Sequence, residues 1–138
     1  MNKKIVVIVV IVECILAILL VSFLGKAIEN ATKDVYCKEI YFTNKNGEKL
    51  NADSIMIELT DTNMNYQLYW QVEPNNTTNK NVEFISSKPD SVIVDATGLV
   101  TFFEVTDVTI TIRSTDGSNK SDTITLVPKR NVGGDVDI

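Results

Sequence analysis

Histidine is absent from all 138 residues of the chain. Without imidazole the chain can form neither a Ser-His-Asp nor a Cys-His arrangement, and it has no imidazole ligand for a metal. Carboxylates are the remaining candidates for chemistry, and several lie in predicted turns: Asp90, Asp95, Asp107, Asp116 and Asp122. Because Asp is a common turn former, we interpret them as solvated turn residues, with a Ca²⁺ site or a glycosidase pair as the alternative. We therefore predict no enzyme activity, no cofactor and no metal site.

Positive charge is scarce after the first 25 residues. There the chain carries 11 Lys and Arg against 17 Asp and Glu, a net charge of −6. Nucleic acid and anionic lipid surfaces both bind basic patches, so neither is an expected partner.

Cysteine is also rare, with Cys14 inside an apolar run and Cys37 well beyond it. An intrachain disulfide between two such positions is not expected on geometric grounds. Cys37 is then either a buried thiol or a free thiol open to intermolecular pairing. The domain that contains it must be stabilised by its hydrophobic core.

The one long apolar run covers residues 5–24, IVVIVVIVECILAILLVSFL. Twenty residues of helix rise about 30 Å, which matches the hydrocarbon core of a bilayer. Lys3 and Lys4 precede the run and favour a cytoplasmic N-terminus. We predict a signal anchor over residues 1–25, in contact with membrane lipid through residues 5–24. A cleaved signal peptide is the alternative, although its best cleavage site, Gly25-Lys26-Ala27, contains a charge.

Glu13 lies in the middle of this apolar run. A carboxylate there costs about 2.5–3.5 kcal/mol on insertion scales. Two interpretations stay open: a protonated side chain tolerated in the helix, or a hydrogen bond to a second membrane helix. The position resembles the buried Glu of type IV pilins, but their cleavage site would need Gly or Ala where Ile8 stands.

Residues 26–34 are polar, and we expect them to continue the helix briefly before they form a short stalk. Beyond them, alternating apolar and polar residues predict a β domain over 35–128, followed by a polar tail at 129–138. The predicted strands cover residues 35–43, 54–59, 66–73, 81–86, 91–94, 99–103, 108–114 and 122–127. In the third strand, Tyr66, Leu68, Trp70 and Val72 share the core face, whereas Gln67, Tyr69 and Gln71 share the other face. Trp70 is therefore predicted to be buried.

Residues 57–127 resemble the group 2 bacterial immunoglobulin-like domain, with the clearest motifs after residue 68. These motifs are Val72-x-Pro74, Asn79-Lys80-x-Val82, Ser86-Ser87-x-Pro89, Val94-Asp95, Gly98-Leu99-Val100-Thr101 and Asp116-Gly117-Ser118. The resemblance implies an all-β fold, an immunoglobulin-like β-sandwich of seven or eight strands, behind one N-terminal transmembrane helix. It also implies a bacterial source. The cytoplasmic N-terminus predicted from Lys3 and Lys4 places the β domain on the extracytoplasmic side.

The resemblance further implies scaffold roles for the motif residues. Pro74, Pro89, Asp95, Gly98 and Gly117 are expected to shape turns and strand ends. Phe84 stands where the family usually has Trp, so we expect it to fill the core as an aromatic plug together with Trp70.

Two function classes follow. The first is a membrane-anchored extracytoplasmic module for non-catalytic binding or cell-surface adhesion. The second is a structural subunit of an envelope or pilus-like assembly, held together through the helix and Glu13. The expected partner is another membrane or envelope protein, a second copy, or a glycan.

Overall fold

The computed structural model describes the backbone of residues 2–31 and 33–131, and the side chains of residues 2–24 and 33–131. The chain divides into two compact units, Met1–Asp34 and Val35–Ile138. The first unit contains one helix, and the second contains every strand of the described residues.

Helix α1 spans Lys3–Ala31. Its segment Lys3–Leu24 has a mean hydropathy of 3.3 and is long and apolar enough to cross a membrane. The helix continues through part of the predicted stalk at 26–34, because residues 26–31 contain neither Pro nor Gly and include good helix formers such as Ala27 and Ala31. The predicted boundary at residue 25 therefore does not coincide with the end of the helix.

The described residues after the helix form nine strands, whereas the sequence predicts seven or eight. They are β1 (Glu39–Thr43), β2 (Ser54–Leu59), β3 (Asn65–Gln67), β4 (Tyr69–Glu73), β5 (Val82–Ser86), β6 (Val92–Val94), β7 (Leu99–Phe102), β8 (Val108–Ser114) and β9 (Ser121–Arg130). They form a four-stranded sheet in the order β2-β9-β8-β5, a three-stranded sheet in the order β3-β7-β6, and the pair β1-β4. Strands β2 and β9 are parallel, and the other pairs are antiparallel.

The additional strand arises at Leu68, which divides the predicted strand 66–73 in two. Before this residue β3 pairs with β7, and after it β4 pairs with β1. The Leu68 N–H donates to the Gly98 carbonyl at 2.9 Å, outside either strand pairing. The chain therefore changes its pairing partner at a single residue while the side chains keep their alternation.

The core follows the predicted alternation of side chains. In β8, Val108, Ile110 and Ile112 are buried, whereas Thr109 and Thr111 are half-buried on the other face. The largest fully buried side chains elsewhere include Phe42, Phe102, Leu59, Leu68, Ile124 and Leu126. These residues come from all three sheets, which is the arrangement of a β-sandwich with one hydrophobic core. The predicted all-β fold behind one apolar helix is confirmed.

Strand β9 extends further than predicted. It was expected to end at Val127, but it continues to Arg130 because the parallel strand β2 pairs with it up to Leu59 opposite Arg130. Lys129 and Arg130 therefore belong to the sheet and not to the predicted tail. The rest of that tail, from residue 132 onward, lies outside the described residues.

Candidate functional site

Two adjoining grooves lie on either side of Tyr69. The first has a volume of about 440 Å³ and is lined by Thr43, Asn44, Lys45, Gly47, Gln67, Leu68, Tyr69, Trp70, Gln71 and Thr97. The second has a volume of about 430 Å³ and is lined by Thr43, Asn44, Lys45, Leu50, Ile55, Met56, Tyr66, Gln67 and Tyr69. Both volumes fall in the range of small-ligand sites. We call the pair the Tyr69 grooves.

Tyr69 is exposed because its side chain lies on the face of β4 that points away from the core. It pairs with Thr43 of β1 and leaves 43% of its surface accessible, while the next residue, Trp70, packs against the core. Gln67 and Gln71 flank it at alternate positions, on the face that the sequence pattern assigned to solvent. The sequence signal for this surface is an aromatic residue between two amides, in the pattern Gln-x-Tyr-x-Gln, which alternation alone marks only as an outward face.

A rigid turn forms one wall of the first groove. The Gln67 side-chain NH₂ donates to the carbonyls of Leu68 at 2.9 Å and Thr97 at 2.7 Å. Asp95 Oδ1 accepts from the Thr97 hydroxyl at 2.6 Å, the Thr97 N–H at 2.8 Å and the Leu99 N–H at 3.1 Å. These bonds hold the pKa of Asp95 below its usual range, and the bond from the Thr97 hydroxyl contributes most. Asp95 thus shapes the groove without facing a ligand.

Gly98 lies in the same turn and packs closely against Trp70 and Leu68. It has a φ of +79°, and a Cβ built on it would lie 2.8 Å from Trp70 Cζ3 and 3.0 Å from the Leu68 carbonyl oxygen. Only glycine fits both the backbone conformation and the space. The Trp70 ring is therefore seated against the turn.

Trp70 and Phe84 pack edge to face, with ring centroids 5.0 Å apart and an interplanar angle of 80°. Both rings are half-buried at the margin of the core, and the fully buried set does not include them. Trp70, which the sequence predicts to be buried, is half-buried, because its side chain packs against the core and also lines the first groove. Side-chain alternation in the sequence predicts the correct face of the strand for Trp70 but not how deeply its side chain is buried.

The loop after β1 forms the opposite wall. Asn44 Oδ1 accepts from the N–H groups of Asn46 at 2.9 Å and Glu48 at 3.0 Å, and Asn44 Nδ2 donates to Glu48 Oε2 at 2.7 Å. These bonds fix the loop and leave Lys45 exposed over both grooves. Lys45 is the one charged residue among those that line them, and no Asp or Glu does.

Two aspartates attach β1 and the segment before it to the hairpin of β8 and β9. Asp116 Oδ2 accepts from the Cys37 N–H, and Asp122 Oδ2 accepts from the Phe42 N–H at 3.0 Å. Asp116 Oδ1 also accepts from the Ser118 N–H at 2.8 Å and the Ser114 hydroxyl at 2.9 Å. Burial raises the pKa of Asp116, but the hydrogen bonds from Cys37, Ser118 and Ser114 outweigh it and hold the pKa well below its usual range.

The candidate Ca²⁺ site is not assembled. Among the side chains described, those of residues 2–24 and 33–131, no three from His, Cys, Asp or Glu come close enough to share a metal ion. Asp95, Asp116 and Asp122 are occupied by donors of the protein itself. Their hydrogen bonds explain the presence of Asp95 and Asp116 in turns, and of Asp122 at the start of β9, without a ligand.

The remaining predicted residues occupy turns, strand ends and the helix. Pro74 follows the last residue of β4 after a cis peptide bond, and Pro89 lies in the turn before β6. Gly117 has a φ of +91° in the turn between β8 and β9. Cys37 is buried at 2% exposure, which favours the buried-thiol interpretation. Glu13 and Cys14 are exposed on helix α1 and lie within its membrane-length segment.

The fold defines a class: an immunoglobulin-like β-sandwich that follows one apolar helix. Residues 61–125 match the family model of the bacterial Ig-like domain (group 2), which confirms the resemblance drawn from the sequence motifs. Domains of this family are non-catalytic, which argues against an enzyme. The apolar helix is a candidate membrane anchor or signal sequence.

Two proteins of Clostridium acetobutylicum, both described as uncharacterized, are similar to the chain. One is 38% identical over 76 residues, which cover 55% of this chain and 7% of that protein. The other is 38% identical over 73 residues, which cover 53% of this chain and 17% of that protein. The chain therefore spans less than a fifth of the length of either relative.

Proposed function

We propose that this protein is a membrane-anchored, extracytoplasmic module for non-catalytic binding at the bacterial cell surface. The observation that carries the proposal is the combination of a group 2 bacterial Ig-like domain with an N-terminal helix of membrane length. The helix is the uncleaved anchor, its N-terminus lies in the cytoplasm behind Lys3 and Lys4, and the β unit lies outside.

A short linker favours a partner close to the membrane. Helix α1 ends at Ala31 and the compact β unit begins at Val35, so three residues join them. Three residues of extended chain span at most about 11 Å. A β domain on such a linker is suited to contact another membrane or envelope component.

Surface labelling tests the orientation. Asp90 is exposed and makes no side-chain hydrogen bond among the described residues, so Asp90→Cys provides a reactive thiol on the β unit. Lys4→Cys provides the matched thiol on the other side of the helix. A membrane-impermeant maleimide should label Asp90→Cys on intact cells and Lys4→Cys only after lysis. The opposite pattern would refute the orientation.

Mass spectrometry of the membrane fraction separates an anchor from a signal peptide. An intact chain that retains its apolar helix supports the proposal. A chain that begins at or beyond Lys26 and is found in the soluble fraction would show that the helix is a cleaved signal sequence.

The native thiols interfere little with the maleimide labelling, because Cys37 is buried and Cys14 lies in the apolar segment.

A second candidate is a structural subunit that assembles through its helix. The observation that favours it is Glu13, a carboxyl group in the middle of a segment with a mean hydropathy of 3.3. An unpaired carboxyl group in hydrocarbon is costly, and a neighbouring helix can supply a hydrogen-bond partner. The Glu13 variants described in the Discussion distinguish this role from simple anchoring.

A further inference from the structure

The Tyr69 grooves differ in charge from the domain that carries them. Residues after 25 have a net charge of −6, yet no carboxylate lines either groove. The lining combines the aromatic side chains of Tyr66, Tyr69 and Trp70 with amides, hydroxyls and a single Lys45. Such a surface suits a ligand that is rich in hydroxyl groups and also has a flat apolar face.

We propose that the Tyr69 grooves bind a saccharide. A pyranose ring has a face of C–H groups that stacks on an aromatic ring, since the negative face of the ring attracts their partial positive charge. Its hydroxyl groups need acceptors and donors around the ring: the side-chain oxygens of Gln67 and Gln71 can accept, and Lys45 and the Tyr69 hydroxyl can donate. This inference rests on the proposed function, because it names the ligand class of the binding module.

The existing hydrogen bonds leave suitable acceptors available. The NH₂ groups of Gln67 and Gln71 donate to protein acceptors: Gln67 to Thr97 at 2.7 Å, and Gln71 to Asn75 Oδ1 at 2.7 Å. Among the described residues, no donor contacts the side-chain oxygen of either glutamine. Both amides are therefore fixed in orientation, and their oxygens remain available to sugar hydroxyls.

Other ligand classes fit the grooves less well. A nucleic acid needs several cations for its phosphates, and Lys45 is the single cation of the lining. A helical peptide needs a continuous apolar groove for its anchor residues, whereas here amides and hydroxyls interrupt the apolar surface. A saccharide matches both the low charge of the groove lining and its mixture of aromatic rings and polar groups.

The test uses the full chain in lipid nanodiscs. Binding is first screened on an array of immobilised neutral and uronic-acid glycans, and the glycans retained are then titrated in solution. Trp70 is the sole tryptophan of the chain and lines the first groove, so its fluorescence should change as a glycan binds. Retention of at least one glycan with such a change is the expected result.

Variants at position 69 test the site. Tyr69→Ala removes the ring on which the sugar stacks. Binding should weaken roughly ten- to hundredfold, which is the typical effect of losing one stacking contact. Tyr69→Phe keeps the ring and should retain binding within about threefold. Tyr36→Ala is the matched control, since Tyr36 is 56% exposed and lines neither groove, and it should bind as the wild type does.

Three results would overturn the inference: no glycan retained by a folded chain, equal affinity for Tyr69→Ala, or peptides instead of glycans bound in a Tyr69-dependent way. Surface labelling at position 90 is independent of these outcomes. A β unit that is outside the cell but binds no glycan would leave the proposed function standing and would exclude the saccharide. Labelling only after lysis would refute the proposed function itself.

Discussion

Asp116 allows the sharpest test of how the domain is held together. Its carboxylate accepts three hydrogen bonds from two distant parts of the chain: one from the Cys37 N–H before β1, and two from Ser114 and Ser118 in the hairpin of β8 and β9. The substitution Asp116→Asn preserves size and shape but replaces one acceptor oxygen with an NH₂ group. One of the backbone N–H groups must then face a donor.

The expected loss follows from the residues involved. Cys37 is buried, so an N–H group there without a partner costs about 1–3 kcal/mol. The bonds that remain also weaken, since an ionised acceptor forms hydrogen bonds about twice as strong as a neutral one. We expect the free energy of unfolding to fall by about 2–4 kcal/mol, a large part of the roughly 5–15 kcal/mol that a domain typically has.

The pH dependence provides an independent check. Because folding lowers the pKa of Asp116, the carboxylate stabilises the folded state above its unfolded pKa of about 3.9. This contribution declines as the pH falls below about 4 towards the lower pKa of the folded state. The difference in stability between the wild type and Asp116→Asn should therefore be largest near neutral pH and shrink in acid.

Urea unfolding of residues 33–138, followed by Trp70 fluorescence from pH 3 to pH 7, measures both effects. We expect this fragment to fold as a soluble β-rich monomer, which circular dichroism verifies beforehand. Asp90→Asn is the matched control, because Asp90 is exposed and makes no side-chain hydrogen bond among the described residues. If Asp116→Asn destabilises no more than this control, or by the same amount at every pH, the role assigned to Asp116 is wrong.

Three further predictions concern the turn, the aromatic pair and the helix. Gly98→Ala should destabilise the domain by about 2–4 kcal/mol, from the left-handed backbone and the contact with Trp70, whereas Gly47→Ala, with nothing within 4 Å, should cost only about 1–2 kcal/mol in the same urea titration. Trp70→Ala should cost about 2–3 kcal/mol by thermal or tyrosine-monitored urea unfolding, less than for a fully buried ring, and a value near zero would contradict its packing on Phe84. Glu13→Gln should retain helix association in detergent crosslinking, and Glu13→Leu should weaken it. If Glu13→Leu crosslinks as well as the wild type, the carboxyl group does not contribute to association.

Side-chain alternation predicted most of the fold, because a strand with one buried face must place its apolar residues at every second position. The strand at 108–114 was predicted with its observed bounds, and the face assigned to Leu68 and Val72 is the buried one. The break at Leu68 could not be predicted in the same way. It depends on the carbonyl of Gly98, thirty residues further along the chain, and alternation carries no information about pairing partners.

The site was harder to predict than the fold for a related reason. The pattern placed Gln67, Tyr69 and Gln71 on one outward face, but it could not show that the loop at 44–47 and the turn at 95–98 rise beside them. A groove is defined by the distance between segments that are remote in sequence, and one exposed strand face looks like any other until those segments are placed. Tyr69 therefore stood in the sequence as an ordinary exposed residue.

The aspartates that suggested a metal site also bear on why no carboxylate lines the Tyr69 grooves. Asp95 and Asp116 each accept several hydrogen bonds from nearby backbone and hydroxyl groups, and Asp122 accepts the N–H of Phe42 in β1. Their charges are thus placed where turns and strand attachments need acceptors, away from the face of Tyr69. An acidic domain can in this way keep a binding surface without carboxylates, and the ligand of that surface is then selected by ring stacking and amide hydrogen bonds rather than by charge.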